Sequence, residues 1–435
     1  MKHEKFKVTP LERAWILYDV GNSAFVLMIA TLVPIFFNAL AEAGGLSSVD
    51  YLAYWGYASS VVTVITAVLG PILGTLADTR GFKKPIFMLC LFVGVAGCCA
   101  MGLATTWLPF LLIFILAKIG FSGSLVFYDS MLGDVTTPER MDVVSSQGYA
   151  WGYIGSCVPF VVCLALVLGS GAIGLSQMTA LSVALLITAV WWLGFSIPLL
   201  KNVEQKSYNE KTKGAVGHAL RGLAGTVKEI FHHKAMFVYL IAYFFYIDGV
   251  NTIISVSTSY GTTLGLDTVG MILALLVTQV VAMPFSILFG KLAGKVGSIN
   301  LLCGAVGIYF VITVVGFFMG FNIEQNPGSE SALALSQGLF WCMAFLVGTV
   351  QGGIQALSRS YFGKLVPADR SNEYFGFFDI FGKFAAVIGP LLVGLFTQFT
   401  GRDSIGVISL AILFLIGEAI LLAGRKRLFG EEKQG

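Results

Sequence analysis

The sequence predicts an all-α integral membrane protein of twelve transmembrane helices, arranged as two pseudo-repeated six-helix bundles. Two observations carry that reading: 56% of the 435 residues are hydrophobic and only 12% are charged, with a mean hydropathy of +0.83, and long apolar runs recur along the whole chain. A water-soluble chain of this length needs a more charged surface, so lipid is the solvent that suits it. Crossing about 30 Å of hydrocarbon takes about 20 apolar residues, because a helix satisfies its own backbone where no water is available.

In order, the runs lie at 14–40, 51–77, 84–105, 107–130, 145–168 and 176–199, then at 235–261, 268–292, 299–320, 333–358, 373–400 and 404–424. Cytoplasmic loops accumulate lysine and arginine. With the N-terminus inside, 24 of the 27 basic residues fall in cytoplasmic segments, among them Arg13, Lys83, Arg140, Arg359, Lys364 and Arg370. Only Arg402 falls outside, while Lys118 and Lys383 lie within helices. One helix more or fewer would scramble every later loop, so both termini are expected in the cytoplasm. Ala39-Leu40-Ala41 resembles a signal-peptidase site, but the preceding run is too long and contains Asp19, so helix 1 is expected to be retained.

The net charge of +3 reflects this loop bias and implies no nucleic-acid partner. The seven cysteines lie in apolar runs without CxxC spacing and read as packing residues, and the four histidines lie in predicted cytoplasmic segments. No Walker loop, HExxH or GxSxG occurs, so no enzyme, cofactor or metal site is expected.

The one long polar stretch divides the chain into an N-terminal bundle (1–200), a linker (201–234) and a C-terminal bundle (235–435). The linker's second part reads as an amphipathic interfacial helix through Leu220, Leu223, Val227 and Phe231. Three matches between the halves occur in one order. Asp19-x-x-Asn22-Ser23 matches Asp248-x-x-Asn251-Thr252, GTLADTRG from Gly74 matches GKLAGKVG from Gly290, and Gly133 with Arg140 matches Gly363 with Arg370. Such repeats imply parallel halves with a site at their interface.

The segment Gly74-Thr75-Leu76-Ala77-Asp78-Thr79-Arg80-Gly81 resembles the signature loop of the major facilitator superfamily, with Thr79 where a basic residue is common. Glycine permits the turn, and Asp78 can accept hydrogen bonds from an adjacent helix N-terminus. Three further stretches narrow the resemblance: Trp15 to Phe25, Tyr246 to Thr252, and Ser358 to Pro367 continuing through Glu373 to Pro390. Together they resemble the vacuole-effluxer family associated with autophagy and its compact bacterial relatives. That resemblance implies a major facilitator fold, and a latch made by Gly74, Asp78, Arg80, Gly81, Arg140 and Arg370. It also implies a bacterial cytoplasmic membrane, and a solute among amino acids or short peptides, because fungal members are implicated in exporting amino acids from the vacuole.

A charge at the bilayer centre costs about 2.5–3.5 kcal/mol, so each intramembrane ionisable group needs a partner or a wet path. Asp19 and Asn22 share one face of helix 1, and Asp248 and Asn251 repeat it on helix 7. They are candidates for solute or ion binding, with interhelical hydrogen bonding as the structural alternative. Asp379 and Lys383 are spaced for an intrahelical ion pair, with Lys383 otherwise free to bind a substrate carboxylate. Lys118 and Asp129 face one side of helix 4, Gln351 and Gln355 add neutral polar groups, and Glu418 is expected to snorkel. The expected partners are a small solute, a proton or sodium ion for coupling, and the lipid bilayer around a monomer. A sugar or glycoside symporter, a non-transporting nutrient sensor and a membrane-embedded enzyme are the competing readings.

Overall fold

The computed structural model describes residues 7–210 and 225–432. Among them, twelve helical segments are long and apolar enough to cross a membrane. In the first half they are α1 (Pro10–Ala43), α2 (Ala53–Ala77), α3 (Lys83–Met101), α4 (Trp107–Ser130), α5 (Pro138–Leu168) and α6 (Gln177–Asn202). The second half has α7 (Lys234–Thr263), α8 (Val269–Val296), α9 (Ser298–Gln325), α10 (Glu330–Leu365), α11 (Ala368–Thr400) and α12 (Asp403–Gly430). The large apolar side chains left outside the packing, such as Leu103, Val190 and Phe399, suit a lipid surround.

Helix ends follow local chemistry. Thr9 and Glu12 form a reciprocal capping box at the start of α1. α1 breaks at Thr31 (φ −131°, ψ −75°), one turn before Pro34, whose ring collides with the carbonyl four residues back. α11 kinks at Ala386, four residues before Pro390, for the same reason.

The chain forms two compact units. The first comprises 1–137, 151–223 and 366–377, and the second comprises 138–150, 224–365 and 378–435. In the first, Trp15 stacks on Tyr128 with ring centroids 4.4 Å apart and donates its Nε1 hydrogen to the Tyr128 carbonyl, tying α1 to α4. Gly94 and Gly120 bring α3 and α4 together: a Cβ on Gly120 would lie 2.5 Å from the Gly94 nitrogen. In the second, Tyr239 and Tyr246 of α7 both bond Ser358 of α10, at 2.8 Å to its carbonyl and 2.7 Å to its hydroxyl.

Of the predicted interfacial stripe, Leu220 and Leu223 lie outside the described residues, while 225–232 is helical, with Thr226 and Ile230 buried and Val227 and Phe231 exposed. One sequence expectation changes. Arg359, counted among loop cations, instead lies inside α10 and is only 3% exposed.

Candidate functional site

In the first unit, Asp78 follows the last residue of α2 and is 2% exposed. Its carboxylate accepts from the Asn372 N–H at 2.9 Å, the Asn372 Nδ2 at 2.6 Å and the Glu373 N–H at 2.9 Å. These are first-turn amides of α11, whose α-helical part begins at Ser371, so Asp78 sits on unsatisfied donors at the positive end of a helix. Gly74 makes the approach physically available, since a Cβ there would lie 2.5 Å from the Asn372 carbonyl oxygen. Gly81 turns the loop with φ +75°, a conformation costly for other residues. The Ser130 hydroxyl bonds Asn372 Oδ1 and fixes that amide's orientation. Burial pushes the Asp78 carboxyl up to about 7, against the pull of the Glu373 and Asn372 donors and of Lys83.

A short strap of linker lies over this loop. Asn209 donates its N–H to the Asp78 carbonyl at 2.8 Å and accepts from the Arg80 N–H at 3.0 Å, while its side chain reaches the Asp369 carbonyl. Gln205 accepts from the Gly81 N–H and donates to the Ala77 carbonyl. Arg80 lies over the Tyr208 ring and pairs with Glu210 at 3.4 Å, both exposed, so this pair adds little stability. Arg370 pairs with Glu373 within the same turn of α11, and Arg140 is half-buried in the short helix that opens α5.

The second unit holds a related cluster that sequence reasoning missed. Asp142, at the start of α5, accepts from Ser360 Oγ at 2.6 Å, Lys364 Nζ at 2.6 Å and Ser298 Oγ at 2.9 Å. Gly290 plays the part of Gly74: a Cβ there would lie 2.7 Å from Ser146 Cβ and 3.1 Å from the Asp142 carbonyl oxygen. Next to Ser360 on α10, buried Arg359 donates to Ser145 Oγ at 2.9 Å and lies 4.4 Å from the Tyr149 ring centre. The missed signal was in the repeat itself, because the offset of Arg140 to Arg370 also carries Ser130 to Ser360 and Asp142 to Asn372.

The intramembrane candidates divide unequally. In the first unit, Asn22 Nδ2 donates to Asp19 Oδ1 at 3.3 Å and to the Tyr18 carbonyl at 3.0 Å, so the predicted face is a bonded pair. In the second, Asp248 is fully buried and accepts from the Gly389 N–H at 3.0 Å to both oxygens and from Thr252 Oγ1 at 3.3 Å, while Asn251 is half-buried. The kink at Ala386 turns the Gly389 N–H out of the α11 ladder, and Asp248 receives it. Asp379 and Lys383 form the expected ion pair. Lys118 Nζ lies 5.1 Å from the Phe121 ring centre, Gln351 is buried, and Asp129 and Gln355 are half-buried. Glu418 is half-buried, with Oε2 turned inward and the Cys303 thiol beside its carboxylate.

Such clusters can open without breaking a covalent bond, because every contact in them can be replaced by water.

The family model described as "Vacuole effluxer Atg22 like" matches residues 11–425. The chain is 44% identical over 420 residues to the "Uncharacterized MFS-type transporter YxiO" of Bacillus subtilis, covering 95% of each chain. It is 24% identical over 296 residues to Autophagy-related protein 22-2 of Aspergillus clavatus, a match spanning 63% of this chain and 46% of that one. Among solved structures, the transporter FucP in its outward conformation aligns with a TM-score of 0.69 at 14% identity, covering 95% of this chain and 98% of that one. The proton:xylose symporter XylE aligns with a TM-score of 0.68 at 14% identity, covering 95% and 94%. At that identity the likeness is one of fold.

Proposed function

Since the chain belongs to the vacuole-effluxer (Atg22-like) family and is an MFS-type membrane transporter, we propose that it carries amino acids or short peptides across a bacterial cytoplasmic membrane by alternating access, coupled to a proton or sodium gradient. The observation that carries the alternating part is the Asp78 cluster, a buried carboxylate held by reversible contacts from α11. The solute class rests on the resemblance to the fungal effluxers. In this reading the repeats 1–200 and 235–435 are the moving bodies, joined by the linker 201–234, with both termini in the cytoplasm. Asp19, Asn22 and Asp248 are the solute- and ion-binding candidates, because buried carboxylates near broken or glycine-lined helix segments can exchange protein donors for a ligand.

The test is uptake of radiolabelled amino-acid and dipeptide mixtures into proteoliposomes under imposed pH or sodium gradients, alongside solute counterflow. Accumulation that follows one gradient and collapses with an ionophore is expected. Counterflow without gradient-driven accumulation would remove the coupling, and failure of amino acids and peptides beside uptake of another solute class would remove the substrate assignment.

A further inference from the structure

A groove of ≈610 Å3 runs along the first unit between α1 and α6, lined by Leu17 on one wall and by Leu186, Val190, Trp191, Gly194 and Pro198 among the residues on the other. Its volume is within the range of about 300–1,000 Å3 typical of ligand sites. No ionisable side chain lines it, which argues against a polar solute. Leu186 and Val190 remain more than half exposed, so the groove opens outward from the unit, along two membrane-spanning helices.

The groove's walls are fixed. Trp191 donates its Nε1 hydrogen to the Val20 carbonyl at 3.0 Å. Gly21 lets α1 approach α6 so closely that an added Cβ would lie 3.0 Å from Phe195 Cβ. Its length is that of one leaflet: the twelve residue-to-residue steps from Leu186 to Pro198 rise about 18 Å at 1.5 Å per step, against about 15 Å for half the hydrocarbon core.

Both walls continue into a cation at the same end. Arg13 precedes Leu17 by one helical turn on α1, Lys201 follows Pro198 by one turn on α6, and both are exposed. The carboxylate beside Arg13 does not cancel it, since Glu12 is turned inward to the Thr9 N–H and the Thr136 hydroxyl. We propose that this groove seats one acyl chain of an anionic phospholipid, with the headgroup phosphate held between Arg13 and Lys201. The inference needs only the membrane-spanning fold and does not depend on which solute is carried.

The experiment titrates the purified full-length protein with phospholipid carrying brominated acyl chains, which quench nearby tryptophan. Brominated phosphatidylglycerol is compared with brominated phosphatidylcholine. Saturable quenching that favours phosphatidylglycerol is expected, and Trp191→Phe removes its saturable part. Each cation contributes about 1 kcal/mol toward an anionic lipid, so Arg13→Gln with Lys201→Gln lowers the phosphatidylglycerol affinity roughly 25-fold. Gly194→Leu guards against misfolding as an explanation: a Cβ there meets nothing within 4 Å, so the added side chain extends into the groove beside Trp191, where the acyl chain would lie. It abolishes the saturable quenching. Equal affinity for the two lipids, or wild-type quenching in Gly194→Leu, overturns the proposal.

Discussion

Replacing Asp78 with Asn is expected to loosen the α2–α11 contact while leaving solute binding measurable. Asn can keep one acceptor for Asn372, but it turns an NH2 toward the Glu373 N–H that Asp78 now accepts at 2.9 Å. A buried N–H left unsatisfied costs about 1–3 kcal/mol. Burial already holds the carboxyl at about 7, so near neutral pH the substitution removes only part of a charge. The net loss is therefore roughly 1–3 kcal/mol, a five- to 150-fold shift of the equilibrium toward the open contact. Alkylation of a cysteine placed at fully buried Ala77, beside Asp78, reads that shift in an otherwise cysteine-free background. An unchanged alkylation rate would refute the latch, and loss of solute binding by a well-folded variant would make the loop part of the binding site.

The same contact has a pH dependence of fixed sign. In the closed state the Asp78 carboxyl is held at about 7, whereas in water it returns to the ordinary value of 3.8. The closed state then binds the proton more tightly, so closure strengthens as pH falls from 7 toward 4 and weakens as pH rises, by at most about tenfold per pH unit. Alkylation at Ala77→Cys, divided at each pH by the rate of an exposed cysteine so that the falling thiolate fraction cancels, should slow between pH 7.5 and 5.5 and lose this dependence in Asp78→Asn. A normalised rate that rises at low pH would mean that the three donors outweigh burial.

Asn326→Cys, in the exposed α9–α10 turn, should react with an impermeant maleimide from outside intact cells and Glu204→Cys should not; the reverse pattern would invert the topology. Asp248→Asn should abolish gradient-driven accumulation but keep counterflow, whereas Asp19→Asn should mainly weaken solute binding; normal accumulation by Asp248→Asn would leave that carboxylate structural. Gly389→Ala should lower the thermal midpoint of the purified protein, because its Cβ would lie 2.0 Å from Thr252 Oγ1 and overpacking costs about 1–3 kcal/mol. Adding Thr252→Ala should return part of that loss, and no change in either variant would mean that α11 shifts freely.

The membrane fold was legible because lipid imposes a one-dimensional rule, length and polarity along a helix, that sequence states directly. Local pairs were legible for a similar reason: Asp379 and Lys383 are neighbours on any helix, and they pair. Contacts set by tertiary approach were not. Spacing put Asp248 with Asn251, yet the carboxylate's main donor is Gly389, 141 residues away and freed by a kink. Positive-inside counting treats every arginine as hydrated, so it could not separate buried Arg359 or the buried Lys83–Asp134 pair from true loop charges.

The repeat explains why one cluster was read and its counterpart was not. In the first unit the carboxylate is on the loop, at Asp78, and the first turn of α11 supplies the amide groups of Asn372. In the second unit the loop position that corresponds to Asp78 is Gly294, and the carboxylate has moved to the first turn of α5, at Asp142, where the counterpart of Asn372 stands. Ser130 and Ser360 hold equivalent places in both, each bonding the residue at the start of the paired helix. Moving the acid from loop to helix reverses which element supplies the charge, and Lys364 on α10 then replaces backbone amides as its partner at 2.6 Å. A search for the loop aspartate finds only the first arrangement. The two clusters therefore differ in what can release them: the first depends on a helix terminus and on the protonation of Asp78, the second on a part-buried lysine–carboxylate pair whose disruption leaves the buried Asp142 charge uncompensated.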